Sequence, residues 1–173
     1  MRTAVIALVV VVAIAVSALV GALAASGGSS ASSASDEALQ QNADRWAIDR
    51  IEKKFHEATS RKDIDLMMSL WAPSATLTVG PGQTAAGKNE IRRFWLTKAT
   101  VFKPENKWLS DTPAYKIDIT VHGDRGTLSY ECHYIDLKTQ KAWSITRADQ
   151  EVARIDGRWL ITSMVSGTAP LSP

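Results

Sequence analysis

The chain has 173 residues, a net charge of +2 and an apolar fraction of 45%, enough for one folded domain with a substantial core. Basic and acidic side chains nearly balance, 20 against 18, and no basic stripe stands out, which excludes an electrostatic nucleic-acid surface. The single cysteine, Cys132, excludes an internal disulfide and reads as a small buried hydrophobe.

The N-terminus is unlike the rest. Arg2 precedes an apolar run from Ala4 to about Ala25, the pattern of an export signal in residues 1–25. Small residues at Ala22 and Ala24 would suit signal-peptidase cleavage near Ala24 to Ser26. The run is also long enough to span a bilayer, so an uncleaved membrane anchor is the alternative. Either form puts the rest of the chain on the outer side of the cytoplasmic membrane, released or tethered. Residues 26–36, rich in Ser, Gly and Ala, read as a flexible tether. Residues 37–168 read as the domain and 169–173 as a C-terminal tail.

The domain opens with helical periodicity. Ile48, Ile51, Phe55 and Ala58 recur at helical spacing after a polar start at Asn42 to Asp44. Asp63 is placed to cap a second helix with a stripe of Ile64, Met67, Met68 and Trp71, which Pro73 ends. A strand, "ATLTV", and a Gly-rich turn follow, and then Ile91, Phe94 and Trp95 mark a third helix. After it come "YKIDITVHG", "GTLSYECHYIDL", "KAWSITRADQEVARIDG" and "RWLITSMVSG", four strand patterns separated by short turns. Helices gathered first and an antiparallel meander second give an α+β class.

"GPGQTAAGKN", Gly80 to Asn89, mimics a phosphate-binding loop. Asn89 stands where the magnesium-holding hydroxyl belongs, and no βαβ crossovers follow, so no nucleotide is expected. The stretch reads as a hairpin turn at Pro81-Gly82 leading to the start of the third helix.

"KDIDLMMSLWAPSATLTVGPGQTAAGKNEIRRFW" and the closing "ARIDGRWLITSMVSG" resemble the SnoaL-like branch of the nuclear transport factor 2-like superfamily, which includes ketosteroid isomerases. The resemblance covers most of Asp44 to Ser166. It implies a cone in which three N-terminal helices pack in the concave face of a curved antiparallel sheet, with a pocket at the open end. Phe55, Trp71 and Trp95 would then point from the helices toward the sheet, as core filler or pocket lining. Tyr130, His133 and Trp143 are further candidates for the lining. The fold hosts isomerases, hydrolases and binding proteins alike, so function has to come from the site.

The chemistry known for the resembling proteins fits poorly. The isomerase base, tyrosine and protonated acid align with Val79, Phe55 and Glu151, so two of the three roles are absent. Ser163 and Val165 stand where many relatives carry histidines on the last strand. His56 reads as a helix-surface or edge residue and His122 as a turn residue, and His56, His122 and His133 show no metal-ligand spacing. Cys132 and His133, adjacent in a strand, point to opposite faces.

One charged group remains. Alternate residues Trp143, Ile145, Arg147, Asp149, Glu151, Ala153 and Ile155 place an Arg-acid-acid trio between apolar ends. If that set faces the core, the trio enters the pocket, where buried charges must pair. The Arg147-x-Asp149 spacing resembles that of limonene-epoxide-hydrolase-like proteins. That would make Asp149 the acid or base, Arg147 its orienter and Glu151 a second carboxylate. The leading expectation is an exported domain that binds a small, largely apolar molecule, without cofactor or metal. The alternatives are a hydrolase or isomerase built on Asp149, and a membrane-tethered module that dimerises through its outer sheet face.

Overall fold

The computed structural model describes residues 28–111 and 113–168. The apolar segment 1–25, with the export signal or anchor expected there, and the tail 169–173 lie outside the described residues. In chain order the elements are α1 (Gly28–Arg61), α2 (Ile64–Ser69), β1 (Trp71–Val79), β2 (Gln83–Ala86) and α3 (Lys88–Thr97). A 3-10 turn (Thr100–Phe102) follows, and then β3 (Trp108–Ser110), β4 (Tyr115–His122), β5 (Arg125–Asp136), β6 (Ala142–Ile155) and β7 (Arg158–Thr168).

The apolar stripe of α1 does what its spacing predicts. Ile48, Ile51, Phe55 and Ala58 are buried against the sheet. Glu52, His56 and Thr59 are buried beside them, so the covered face is wider than its hydrocarbon stripe. Asp44 anchors the near end of that face. Its carboxylate accepts from Arg154 Nη2 at 2.6 Å and from Trp159 Nε1 at 3.2 Å, tying α1 to the β6–β7 hairpin. Upstream the helix runs on as an exposed rod. Residues 33–43 touch no core, and the helix begins at Gly28, inside the stretch expected to be a flexible tether. Once the packed half is helical, alanine- and serine-rich sequence extends it at little cost, because propagation is far easier than nucleation.

Asp63 caps α2 as expected, with Oδ1 accepting from the Asp65 and Leu66 amides. The helix then stops two residues before Trp71, which belongs to β1 instead. Pro73 therefore sits inside a strand. It is tolerated because the β1–β7 register slips between Trp71 and Thr76, and an irregularity of this kind needs no ladder donor at proline. Gly80 and Gly82, both at positive φ, close the β1–β2 hairpin, and Gly87 at φ 80° begins α3. The phosphate-loop look-alike is thus a turn and a helix start.

The sheet has seven strands in the order β2-β1-β7-β6-β5-β3, with β4 paired to the other half of β5. All pairings are antiparallel except β1 with β7, which is parallel. The sheet is therefore more than the expected meander, since β2 and β3 add edges and its first and last long strands meet. At Gly126 a side chain has no room. A β-carbon there would lie 2.5 Å from the Thr120 carbonyl oxygen, so glycine is what lets β4 and β5 approach. The helices cover the inner face of the sheet. Leu128, Tyr130, Cys132 and Tyr134 of β5 and Ala148, Gln150 and Val152 of β6 point at them.

Candidate functional site

Burial alternates along β6, but in the phase opposite to the one read from its apolar ends. Ala148, Gln150 and Val152 are buried, whereas Arg147, Asp149 and Glu151 are exposed. The Arg-acid-acid trio therefore lies on the outer face, in solvent, and not in the pocket. Arg147 Nε and Nη2 donate to Asp149 at 2.9–3.1 Å, in a pair whose side chains are 48% and 52% exposed. Such a surface pair stabilises little and meets no enclosed substrate. Trp143, whose hydrophobicity suggested an inward phase, is skipped by the β5–β6 register. It stands 61% exposed against Trp108, with ring centroids 5.5 Å apart. His133 is also on the outer face, stacked on Tyr115 at 3.9 Å. The reason is parity: with Tyr130 and Cys132 inward, His133 must face out.

The apolar hollow lies elsewhere. A cavity of about 220 Å³ opens between α1, α3, the 3-10 turn and the inner faces of β5, β6 and β7. Phe55, Phe94, Trp95, Val101, Tyr134 and Met164 supply most of its hydrocarbon wall, with Thr146, Ser166, Gln83 and Lys98 as polar lining. The Phe55 and Trp95 rings meet edge to face at 5.6 Å, so that corner is fixed by packing. Of the expected lining residues, Phe55 and Trp95 are in place. Trp71 and Tyr130 are fully buried core, and Tyr130 Oη accepts from Gln150 Nε2 at 2.9 Å. Val79 and Phe55, the positions aligned with the isomerase base and tyrosine, are both on the cavity wall, and both are hydrocarbon. Larger depressions, of about 700 and 780 Å³, are more open and are lined mainly by polar and charged residues.

Cys132 also lines the cavity, and it has a partner that sequence reasoning placed on the surface. His56 is 0% exposed. Its Nδ1 lies 2.6 Å from the Asp111 carbonyl oxygen, which can only accept, so Nδ1 carries the proton. That leaves the lone pair of Nε2 facing Cys132 Sγ at 2.9 Å, with the thiol as donor. Burial pushes the imidazole down to about 4, against the Asp111 hydrogen bond, and burial pushes the thiol up. At neutral pH both are uncharged, so the nearby Glu52 carboxyl, 3.9 Å from Nδ1, makes no ion pair with this ring. Glu52 is itself raised by burial. Its Oε1 accepts from the Ala114 amide at 2.7 Å, and its Oε2 has no partner among the described residues. The sequence did carry a signal for this group. Glu52 and His56 are one helical turn apart beside the apolar stripe, and Cys132 is in phase with Tyr130 and Tyr134. No three His, Cys, Asp or Glu side chains gather to hold a metal ion among the described residues.

No curated protein matches this sequence. Solved structures do. A nuclear transport factor 2-like protein of unknown function from Pseudomonas putida is 14% identical with a TM-score of 0.64, over 76% of this chain and 89% of that one. A nuclear transport factor 2-like protein with a cystatin-like fold from Novosphingobium aromaticivorans is 15% identical with a TM-score of 0.62, over 84% and 94%. A ketosteroid isomerase-like protein from Erwinia carotovora atroseptica is 16% identical with a TM-score of 0.56, over 75% and 97%. At such identities the likeness shows the fold alone. The SnoaL-like domain family matches residues 40–165, from the buried half of α1 through most of β7. On that match the chain belongs to the SnoaL-like domain family, and it has the fold of the nuclear transport factor 2-like proteins.

Proposed function

We propose that this protein is an exported binding domain that takes up one small, largely apolar molecule in the cavity between α1, α3 and the sheet. The observation that carries the reading is the wall itself, which is mostly aromatic and aliphatic. Cavities of roughly 150 Å³ with apolar walls accept a single benzene ring in other proteins, so about 220 Å³ suits a substituted ring with one polar group. The same wall argues against isomerase chemistry of the kind named for the Erwinia relative, because Val79 and Phe55 can neither take nor give a proton. The outward trio argues equally against a hydrolase built on Asp149.

The test is native mass spectrometry and tryptophan fluorescence with single-ring ketones and toluene. Binding is expected in the native chain, and Ala148→Phe, which fills the cavity from β6, should weaken it at least about tenfold. Binding that survives that substitution, or none up to the solubility of the probes, overturns the reading. Export is tested by sequencing the mature N-terminus. A start near Ala24 to Ser26 means a released domain, an intact segment means a tethered one, and retention in the cytoplasm overturns export.

A further inference from the structure

Three features at or directly behind the cavity wall have no role in simple apolar binding. Cys132 presents a thiol there, 2% exposed. Behind it, His56 Nε2 holds a lone pair 2.9 Å from the sulfur, kept in that tautomer by the Asp111 carbonyl. On the same wall Trp95, 6% exposed, carries an indole N–H with no hydrogen-bond partner among the described residues. An orphan donor in an apolar enclosure is costly unless a ligand's acceptor meets it. A thiol with a base behind it is the arrangement that generates a sulfur nucleophile on demand.

We propose that Cys132 and His56 form a reactive pair on the cavity wall that captures small apolar α,β-unsaturated carbonyl compounds by adding the thiol across their C=C bond. The proposal rests on the cavity reading above and names its ligand class. The apolar wall selects the hydrocarbon body, and the Trp95 N–H selects a carbonyl oxygen. His56 Nε2 takes the thiol proton as sulfur bonds to the β-carbon, and the C=C π pair moves to the α-carbon. The same proton returns from Nε2 to the α-carbon. One S–C and one C–H bond form, one S–H and one π bond break, and nothing is oxidised or expelled. The groups that face His56 are Glu52 from its own helix, Asp111 from the segment before β4, and Tyr130, Cys132 and the more distant His133 from β5. The sulfur also meets the Tyr134 and Ser110 hydroxyls, and burial pushes the thiol up despite them, so the pair holds no resting thiolate and reaction waits on the electrophile.

The experiment uses the purified protein and benzylideneacetone, an apolar enone, read by intact and native mass spectrometry. Because Cys132 is the only cysteine, one added reagent mass reports this site, and Cys132→Ser should take none. His56→Gln, which keeps a hydrogen-bonding side chain but no base, should slow addition by about 100-fold or more while the reagent still binds. Addition should be nearly independent of pH from about 5 to 8, whereas a free thiol slows about tenfold for each unit of acidification. Ala148→Phe, on the neighbouring strand of the same wall, serves as a second variant that leaves both members of the pair in place and should abolish addition by closing the cavity. A bound enone without an adduct overturns this inference and leaves the binding function standing. An unchanged rate in His56→Gln also overturns it, and the absence of both binding and adduct overturns the two readings together.

Discussion

The two faces of the β5–β6 pair differ in how they manage polar groups. Outside, Arg147 and Asp149 are charged, mutually paired and half in water. Inside, Cys132, Tyr130 and Gln150 on the same strands and His56 packed on them from α1 are neutral and held by a few directed hydrogen bonds, His56–Cys132 and Gln150–Tyr130 both at 2.9 Å. The outer pair can be lost with little consequence, because solvent replaces each partner. The inner groups cannot, because nothing replaces a missing partner in a closed core. Charge density on a strand is thus a poor guide to where its chemistry lies.

The sharpest way to break this contrast is truncation. Tyr130→Ala should cost about 3–5 kcal/mol by emptying the space between Phe55 and His56, as measured by urea unfolding. Acid comes next. His56 is neutral in the fold down to about 4 and the unfolded chain protonates near 6.5, so stability is full above that pH and lost on descent through this window. The His56 share is about 3 kcal/mol. Glu52, raised by burial, works the other way, because its protonation on the same descent favours the fold. Comparing the native chain with His56→Gln across that range isolates the histidine, and a variant with the same acid sensitivity would refute the assignment.

An intermediate effect is expected at the α1 anchor. Asp44→Ala should cost about 1–3 kcal/mol, since it strips partners from Arg154 and from the buried Trp159 indole. Burial raises the Asp44 carboxyl, yet the hydrogen bonds from Arg154 and Trp159 outweigh it, so this contribution persists until strongly acid pH. The smallest effect belongs to the outer face. Arg147→Ala and Asp149→Ala should each change stability by less than about 1 kcal/mol and leave ligand binding intact. A larger loss of either would mean that the outer face is covered in solution.

Sequence reading reached the parts of the molecule that depend on local rules. The α1 stripe, the Asp63 cap, the hairpin at Gly80 to Gly82 and the long strands follow from period, capping and turn chemistry. It failed where two rules overlapped or where contact is distant. Trp71 continues the α2 stripe in phase, so only the pairing of β1 with β7 shows that it is strand. On β6 the apolar ends outvoted the small, buried middle of Ala148, Gln150 and Val152. His56 and Cys132 are 76 residues apart in sequence, and the periodicity that turns each of them inward does not show that they meet.

The parallel meeting of β1 and β7 sets the order in which this chain can finish folding. Thr76 and Ser163, hydroxyl neighbours across that seam, are separated by 87 positions, and the Leu70 carbonyl waits for the Ile161 amide. Until the last strand arrives, β1 has only the short β2 beside it and an unpaired edge. Closing so long a loop is slow, placing completion in the millisecond-to-second range typical of sheets with distant partners. A nascent molecule in which β7 has not yet emerged would keep that edge of β1 open, so closure of the sheet waits for β7.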